Sequence, residues 1–482
     1  MSASGNLTIV QLNDSHAYLD QHLEMFWSGA EATYARAGGF PRIKRMVDGI
    51  REETDGRTLF FDCGDTIHGT YAAVQSEGRA VVPIANELGL DAWTAHWEFA
   101  WGPDHLKEIA GEMNHPLLAI NCYDEATDEH VFETTRILDC DGICVGVVGI
   151  AATIVDKTMP AHFSEGIYMT MGDEELRLEI EHLRGDEDCD LIVVVSHLGF
   201  AQEVKLAQCI EGIDVLLSGH THNRMYRAVV VNETIIFQSG CHGSFLGRLD
   251  CHVKDGEIVA YDHELLVVGD DVEPDWELQG MVRDVTSADA DKLADVLGET
   301  RTGLYRAKTL ESTMDNLLLE SLLDVTGAQL AFSNGWRYGA PIAPGPITLG
   351  DLWNIIPVNP PVSTCTLTGA ELRAMLEENL HRTFAGDPWD QMGGYVKRSM
   401  GLHCYLKVEN PAGARIEELF VDGRHVRDDD EFDVAFVTTQ GVPEQYGADR
   451  EEMGVHAIDA LRQYIIANSP LESPELGTFV AV

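Results

Sequence analysis

Short unbroken aliphatic runs that empty into Gly, Ser, Asp or His recur through the first half of the chain. Residues 7–16 read LTIVQLNDSH, 58–65 TLFFDCGD, 191–197 LIVVVSH and 213–222 IDVLLSGHTH. Apolar runs that are continuous rather than alternating belong to strands covered on both faces. The pattern predicts strands over 7–12, 59–62, 117–121, 142–150, 191–196, 215–217 and 235–238. Between them, 42–53, 81–88, 174–183 and 201–211 space their apolar residues as helices do. This alternation predicts an α/β domain over 1–273 with a largely buried sheet and a hairpin at its edge over 247–268. An acidic break at 270–273 leads into 274–302, polar and helix-prone, read as a linker helix. From 303 to 482 the pattern changes to an α+β order. Helices are expected over 314–326 and 370–381, strands over 402–408 and 432–438, and a loop SNGWRYG at 333–339.

Charge changes the picture more than composition does. Hydrophobic residues make up an ordinary 45%, but 33 Lys+Arg stand against 80 Asp+Glu, a formal net charge of −47. The carboxylates are spread along the whole chain, as on a surface adapted to molar salt, where screening shortens repulsion to about 3 Å. The expected setting is a high-salt cytoplasm. No Lys/Arg cluster offers a nucleic-acid face. The residues before the first strand show no basic n-region, twin arginine or apolar h-region, so no export is expected, and no segment reaches the roughly 18 apolar residues that span a bilayer. No membrane partner is expected. Ten cysteines show no CxxC pairing or zinc-finger spacing and are read as reduced thiols.

Ligands of open α/β sheets sit at the carboxyl ends of the strands. Asp14, His16, Asp65, His197, His220 and His222 all stand at such ends, which predicts one shared site. Asp14 and His16, like His220 and His222, are two residues apart and would face one way in extended chain. Gly64 permits a sharp turn before Asp65. A lone buried histidine is structural more often than not, but the set as a whole is a ligand set. Carboxylate plus imidazole without thiolate suits a hard to borderline divalent cation.

Asp14-Ser15-His16, Gly64-Asp65, His197 and Gly219-His220-Thr221-His222 resemble the signature of the calcineurin-like dinuclear metallophosphoesterases. With Ser333-Asn334-Gly335-Trp336-Arg337 in a second domain, the chain is similar to the 5′-nucleotidase family. That resemblance implies a four-layer α/β/β/α catalytic sandwich and a smaller α+β C-terminal domain that binds substrate. It implies two divalent metals, manganese first, with zinc, iron or magnesium as alternatives, and hydrolysis of a phosphate ester by a hydroxide between them. The first metal would be held by Asp14, His16, Asp65 and His222, the second by Asp65, His96, His197 and His220. The expected substrate is a small phosphoester, a nucleotide first.

One motif departs from the family. Where Gly-Asn-His-Glu is usual, this chain has Ala95-His96-Trp97-Glu98-Phe99. Aligned on Glu98-Phe99, His96 takes the ligand place of the asparagine and Trp97 that of the catalytic histidine. Indole donates a hydrogen bond but transfers no proton at neutral pH. His96 is a candidate general acid if the loop shifts by one residue. The His-Trp-Glu-Phe string and the loop DPWDQMGG (387–394) are similar to the thiosulfohydrolase (SoxB) branch. Those enzymes release sulfate from a cysteine on a carrier protein, and the carrier is a partner only under that alternative. A third alternative is a metal-binding homologue without catalysis. At the substrate end, Arg337 is expected to grip an anion, with Asn334 beside it and Trp336 and Trp389 as stacking surfaces. His68, in the bridging loop, is read either as a neighbour of the ligands or as merely exposed. His105, His115, His162 and His242 follow no ligand spacing and are set aside, although Cys241-His242-Gly243 ends a strand and is a candidate border of the site.

Overall fold

The computed structural model describes residues 3–482. The chain divides into two compact units, one of residues up to His22 with Arg36–Thr286, the other of Leu23–Ala35 with Ser287–Val482. The second unit thus takes most of an early hairpin, His22–Ser28 paired with Glu31–Ala37, in addition to the C-terminal half.

Two sheets, not one, build the first unit. Strand Gly5–Leu12 pairs parallel with Thr58–Asp62 and antiparallel with Phe245–Lys254, in a five-stranded sheet whose edge is Glu257–Val267. The second sheet has Ile143–Ile150, Leu191–Ser196, Val215–Leu217 and Thr234–Phe237 running parallel, with one antiparallel strand at each edge. One core joins them. Leu7, Ile9, Leu59 and Phe61 from the first meet Val145, Val147, Val193, Val195, Val215 and Leu217 from the second. The other residues of these strands, such as Val10, Phe60, Val148 and Val194, are also buried, so both faces are covered. Helix Phe40–Glu53 buries Phe40, Ile43, Val47 and Ile50 against the first sheet, and Asp173–Gly185 and Phe200–Cys209 cover the second. The result is the expected four-layer α/β/β/α sandwich.

Several elements differ from the sequence reading. Residues 117–121 form only isolated bridges at Leu117 and Leu118, and the expected helix over 81–88 shortens to Val82–Asn86. The stretch 274–302 is not one helix. Helix Trp276–Thr286 packs on Phe40–Glu53, a short helix follows at Ala290–Leu293, and Val296–Thr300 is a strand paired with Gly345–Thr348. Its weak apolar stripe served three elements rather than one face.

In the second unit a five-stranded sheet (central strand Glu431–Val437) and a four-stranded sheet share a core with helix Gly369–Phe384. That helix starts on a capping box in which Thr368 and Glu371 satisfy each other's backbone N–H groups. No helix among the described residues is long and apolar enough to cross a membrane.

Candidate metal centre

The parallel strands of both sheets end at one place, and seven side chains meet there. Asp14, His16, Asp65 and His222 form one group of possible ligands, and Asp65, His96, His197 and His220 form another. Within each group the ligand atoms lie within 4.8 Å of one another. Asp14, Asp65 and His96 come from the first sheet's strand ends, while His197, His220 and His222 come from the second's. Asp65 is common to both groups.

The convergence does not come from strand alternation, as the i, i+2 spacing had led us to expect. Asp14, His16, Asp65, His220 and His222 have φ of 49°, 48°, 57°, 69° and 58°, all in the left-handed region. Non-glycine residues there cost on the order of 1–3 kcal/mol each and persist only when the surroundings hold them. As a consequence the His220 and His222 rings part company, one into each group. Backbone bonds hold the kinks: Asp14 N–H donates to Gly64 O (2.9 Å) and His16 N–H to Asp65 O (2.7 Å). The His220 N–H donates to both oxygens of Asp14 (3.1 and 3.0 Å).

Two glycines are required by space. A Cβ on Gly64 (φ 88°) would come within 2.7 Å of Thr94 O, and one on Gly219 within 2.9 Å of His197 Nδ1.

Most of these side chains are buried, and their hydrogen bonds aim nitrogen lone pairs inward. His197 Nδ1–H donates to Cys63 O (2.5 Å) and His16 Nδ1–H to His68 O (3.2 Å), so each ring turns Nε2 toward the acids. His197 Nε2 lies 3.3 Å from Asp65 Oδ2, His222 Nε2 3.1 Å from Asp14 Oδ1, and His96 Nδ1 3.2 Å from Asp65 Oδ2. Two imidazole nitrogens face each other, His16 Nε2 and His222 Nε2 at 3.3 Å. The Nε2 of His96 is buried with no hydrogen-bond partner. Ring nitrogens that face each other and the shared acids, on rings oriented by carbonyls, fit a divalent cation pair. Seven ligands of this chemistry suit manganese, iron or zinc.

The electrostatics agree. Burial, and the neighbouring His222, pull His16 down to about 3, so it is neutral at pH 7 with a lone pair to give. Burial also opposes charge on His197, but the Asp65 and Asp14 carboxylates outweigh it and raise that ring to about 10. Against burial, three imidazoles hold the Asp65 carboxyl well below the usual range. Protein without cations would therefore carry a proton on His197, which a bound cation must displace.

Glu98, which in the sequence serves only to align the His96 motif, organises the loops. Its buried carboxylate accepts from the N–H groups of Thr66 (2.6 Å), His96 (2.7 Å), Asp65 (3.3 Å) and Ile67 (3.4 Å). It ties the Asp65 loop to the His96 loop. The turn of four amides toward one anion had a signal only in its place two residues after His96. Replacing Glu98 by Gln puts an amide donor against these N–H groups and should lower metal affinity about 10–100-fold. Titration calorimetry with manganese measures this; unchanged affinity would contradict the role.

Trp97 donates its backbone N–H to Asp65 Oδ1 (2.8 Å), and its buried indole stacks on His68 at 4.6 Å. His68 is thus buried at the site, not exposed. His242 borders the site too, as its place at a strand end suggests, although it follows no ligand spacing. Its N–H donates to Asp14 O (2.7 Å), and its ring lies 6.3 Å from both His16 and His222. His105, His115 and His162 lie outside both ligand groups.

Behind His197, helix Phe200–Cys209 turns Glu203 inward, where Gly199 N–H donates to it (3.2 Å). Burial raises its carboxyl from 4.5 to about 7 against the Ser218 and Ser196 hydroxyls. Its neutral form supports the fold fully below about pH 4.5, and that support is lost as pH rises through 7. The loss is about 3 kcal/mol, from 1.36 kcal/mol per unit. Glu203→Gln should therefore gain about 2–3 kcal/mol on the parent between pH 5 and pH 8. Urea midpoints at both pH values test this, and a pH-independent difference would refute it.

In the second unit, Asn334, Trp336 and Arg337 share the loop after strand Leu330–Ser333. Arg337 donates to Gly394 O (2.9 Å) and lies over the Tyr395 ring at 5.3 Å, while Asn334 Nδ2 donates to Gln440 Oε1 (3.0 Å). Trp336 is buried beside Arg306, and Trp389 is half-buried in the turn Pro388–Asp390.

Comparison with known proteins places these features. Residues 7–224 match the calcineurin-like phosphoesterase family, and residues 290–440 match the 5′-nucleotidase C-terminal domain. The trifunctional nucleotide phosphoesterase YfkN of Bacillus subtilis is 23% identical over 86% of this chain, which spans 30% of that protein's length. The 5′-nucleotidase of Mus musculus is 22% identical over 87% of this chain and 78% of its own. The fold superposes on sulfate thiohydrolase SoxB of Thermus thermophilus with a TM-score of 0.93 at 24% identity, covering 100% of this chain and 98% of that one. It superposes on a Thermus thermophilus 5′-nucleotidase precursor with a TM-score of 0.87 at 22% identity, covering 99% of each. The first half of the chain thus matches the calcineurin-like phosphoesterases and the second the 5′-nucleotidase C-terminal domain, the families of metal-dependent hydrolases.

Proposed function

We propose that the chain hydrolyses phosphate monoesters of the 5′-nucleotidase type, taking a nucleoside monophosphate or related ester to an alcohol and phosphate. The observation that carries this is the sharing of Asp65 between two buried ligand groups. Two divalent cations so held activate water and neutralise charge on the phosphate oxygens, which matters in a chain of net charge −47. Asp14, His16, Asp65 and His222 would hold one cation, and Asp65, His96, His197 and His220 the other, with manganese the first candidate. The Asp65 carboxylate would serve both, and the Cys63 and His68 carbonyls fix the ring tautomers of His197 and His16. His96 acts as a ligand rather than as the acid, and Trp97 covers one side without supplying a proton. Arg337 and Asn334 grip the non-reacting anionic or polar part of the substrate, and Trp336 and Trp389 its flat part. The relatives named for nucleotides support that substrate class. The composition supports a high-salt cytosol as the setting.

A second reading is a SoxB-like release of sulfate from a carrier-bound cysteine. It is favoured by Trp97, since a sulfur leaving group needs less help from an acid than an alkoxide. The test is turnover in high potassium chloride with manganese on AMP, an aryl phosphate and a cysteine thiosulfonate conjugate. We expect the phosphate esters to be hydrolysed. Turnover of the conjugate alone would establish the second reading, and two bound metals with no turnover would overturn both.

A further inference from the structure

Cys144 and Cys189 lie at the end of the second sheet remote from the metal centre. Cys144 is the second residue of strand Ile143–Ile150, and Cys189 precedes strand Leu191–Ser196. These strands are parallel neighbours, with Val145 opposite Leu191. Their starts are tied by reciprocal bonds: Asp190 N–H donates to Cys144 O (2.8 Å), and Cys144 N–H to Asp190 Oδ2 (2.9 Å). The two thiols touch, sulfur to sulfur, at 3.4 Å. By this register Asp190 is level with Cys144, so the two cysteines are diagonal neighbours. Strands about 4.8 Å apart with a rise of about 3.3 Å put such α-carbons about 5.8 Å apart, inside the roughly 4.4–6.8 Å of a disulfide.

We propose that Cys144 and Cys189 are a reversible redox site, oxidised to an intramolecular disulfide by small-molecule disulfides and reopened by thiols. Access gives the order of events, since Cys144 is half-buried and Cys189 nearly covered. The Cys144 thiolate, its proton gone to solvent, attacks the small disulfide and expels one thiolate. The Cys189 sulfur, also losing its proton to solvent, then attacks Cys144 Sγ and expels the second. Two protein thiols are oxidised and one small disulfide is reduced to two thiols. Burial and the adjacent Cys144 thiol push the Cys189 thiol up to about 12, so the second step quickens with rising pH. The bond would clamp the starts of two strands, the second of which leads into His197. The reactive ends are untouched, so hydrolysis should be unchanged and thermal unfolding delayed.

The metal-loaded full chain is incubated with glutathione disulfide until exposed Cys209, the internal control, is fully converted to its mixed disulfide. Free thiols are then alkylated in denaturant and the peptides mapped. The expected result is a linked 144–189 peptide, 2 Da lighter than its two thiol halves, that dithiothreitol releases. Full alkylation of both cysteines, or a lasting glutathione adduct on Cys144 in the parent chain, would overturn the proposal. Cys189→Ser should trap that adduct on Cys144, and Cys144→Ser should leave Cys189 alkylated. If one variant fails to fold, the other carries the same decision.

Discussion

Asp65→Asn should abolish hydrolysis and strip at least one cation from the protein. The Asp65 carboxylate stands in both ligand groups, and His96, His197 and His16 all lie within 3.6 Å of its Oδ2. The amide keeps the shape but removes the charge and offers one oxygen where two cations are to be bridged. His197 owes its raised pKa to this acid and to Asp14, so proton and metal affinity should fall together. The expected loss is at least about 10³-fold in kcat, near 4 kcal/mol at 1.36 kcal/mol per tenfold. Folding is a fair control, because Asp65 has a φ of 57° and asparagine tolerates the left-handed region better than most residues. Metal content by mass spectrometry and turnover of an aryl phosphate decide it. Full activity with two metals per chain would sink the assignment.

That six of the seven residues could be read from strand ends, and His96 from its motif, follows from how parallel sheets work. A continuous apolar run such as 191–196 must be a buried strand, and the first polar residues after it must emerge at one end of the sheet. What the runs could not show is which sheet each strand joins. LTIVQL and LIVVVS carry the same pattern, yet one belongs to the five-stranded and one to the six-stranded sheet. Periodicity records that both faces are covered, not by what. The left-handed turns at Asp14 and His220 were equally hidden: Asp and His enter that region more readily than most residues, but nothing in their spacing marks where the fold requires it. Glu98 acts through backbone amides, and spacing carries no trace of such contacts, while His242 was legible only from its place at a strand end. In the second half the loop holding Arg337 was legible, but the ion cluster beside it was not, since Arg306, Asp315 and Arg398 are far apart in sequence.

That cluster makes Asp315→Ala the substitution expected to cost the second unit most. Asp315 sits in the first turn of helix Thr313–Thr326, and its own N–H donates to the Ser312 hydroxyl that caps the helix. Its Oδ1 meets Arg306 Nε at 3.0 Å and its Oδ2 meets Arg398 Nε at 3.0 Å, with all three side chains at most 1% exposed. Arg306 also donates to Tyr338 O and Ile355 O, and Arg398 to Thr309 O and Lys308 O. One carboxylate thus balances two guanidiniums that gather three loop carbonyls and the one at the end of helix Leu349–Ile355. Removing it leaves two buried cations among neutral acceptors, and breaking a buried pair this way costs about 3–5 kcal/mol. At about 2–4 °C per kcal/mol for a domain of this size, calorimetry should show a fall of roughly 10 °C. Arg398 also lies 4.9 Å from the Tyr395 ring that Arg337 covers, so the Arg337 loop should loosen with it. The first unit holds none of these groups, and its unfolding and metal content should not change. A shift below about 2 °C would mean that the carbonyls alone hold the two arginines, and the cluster would then be a consequence of the fold rather than a cause.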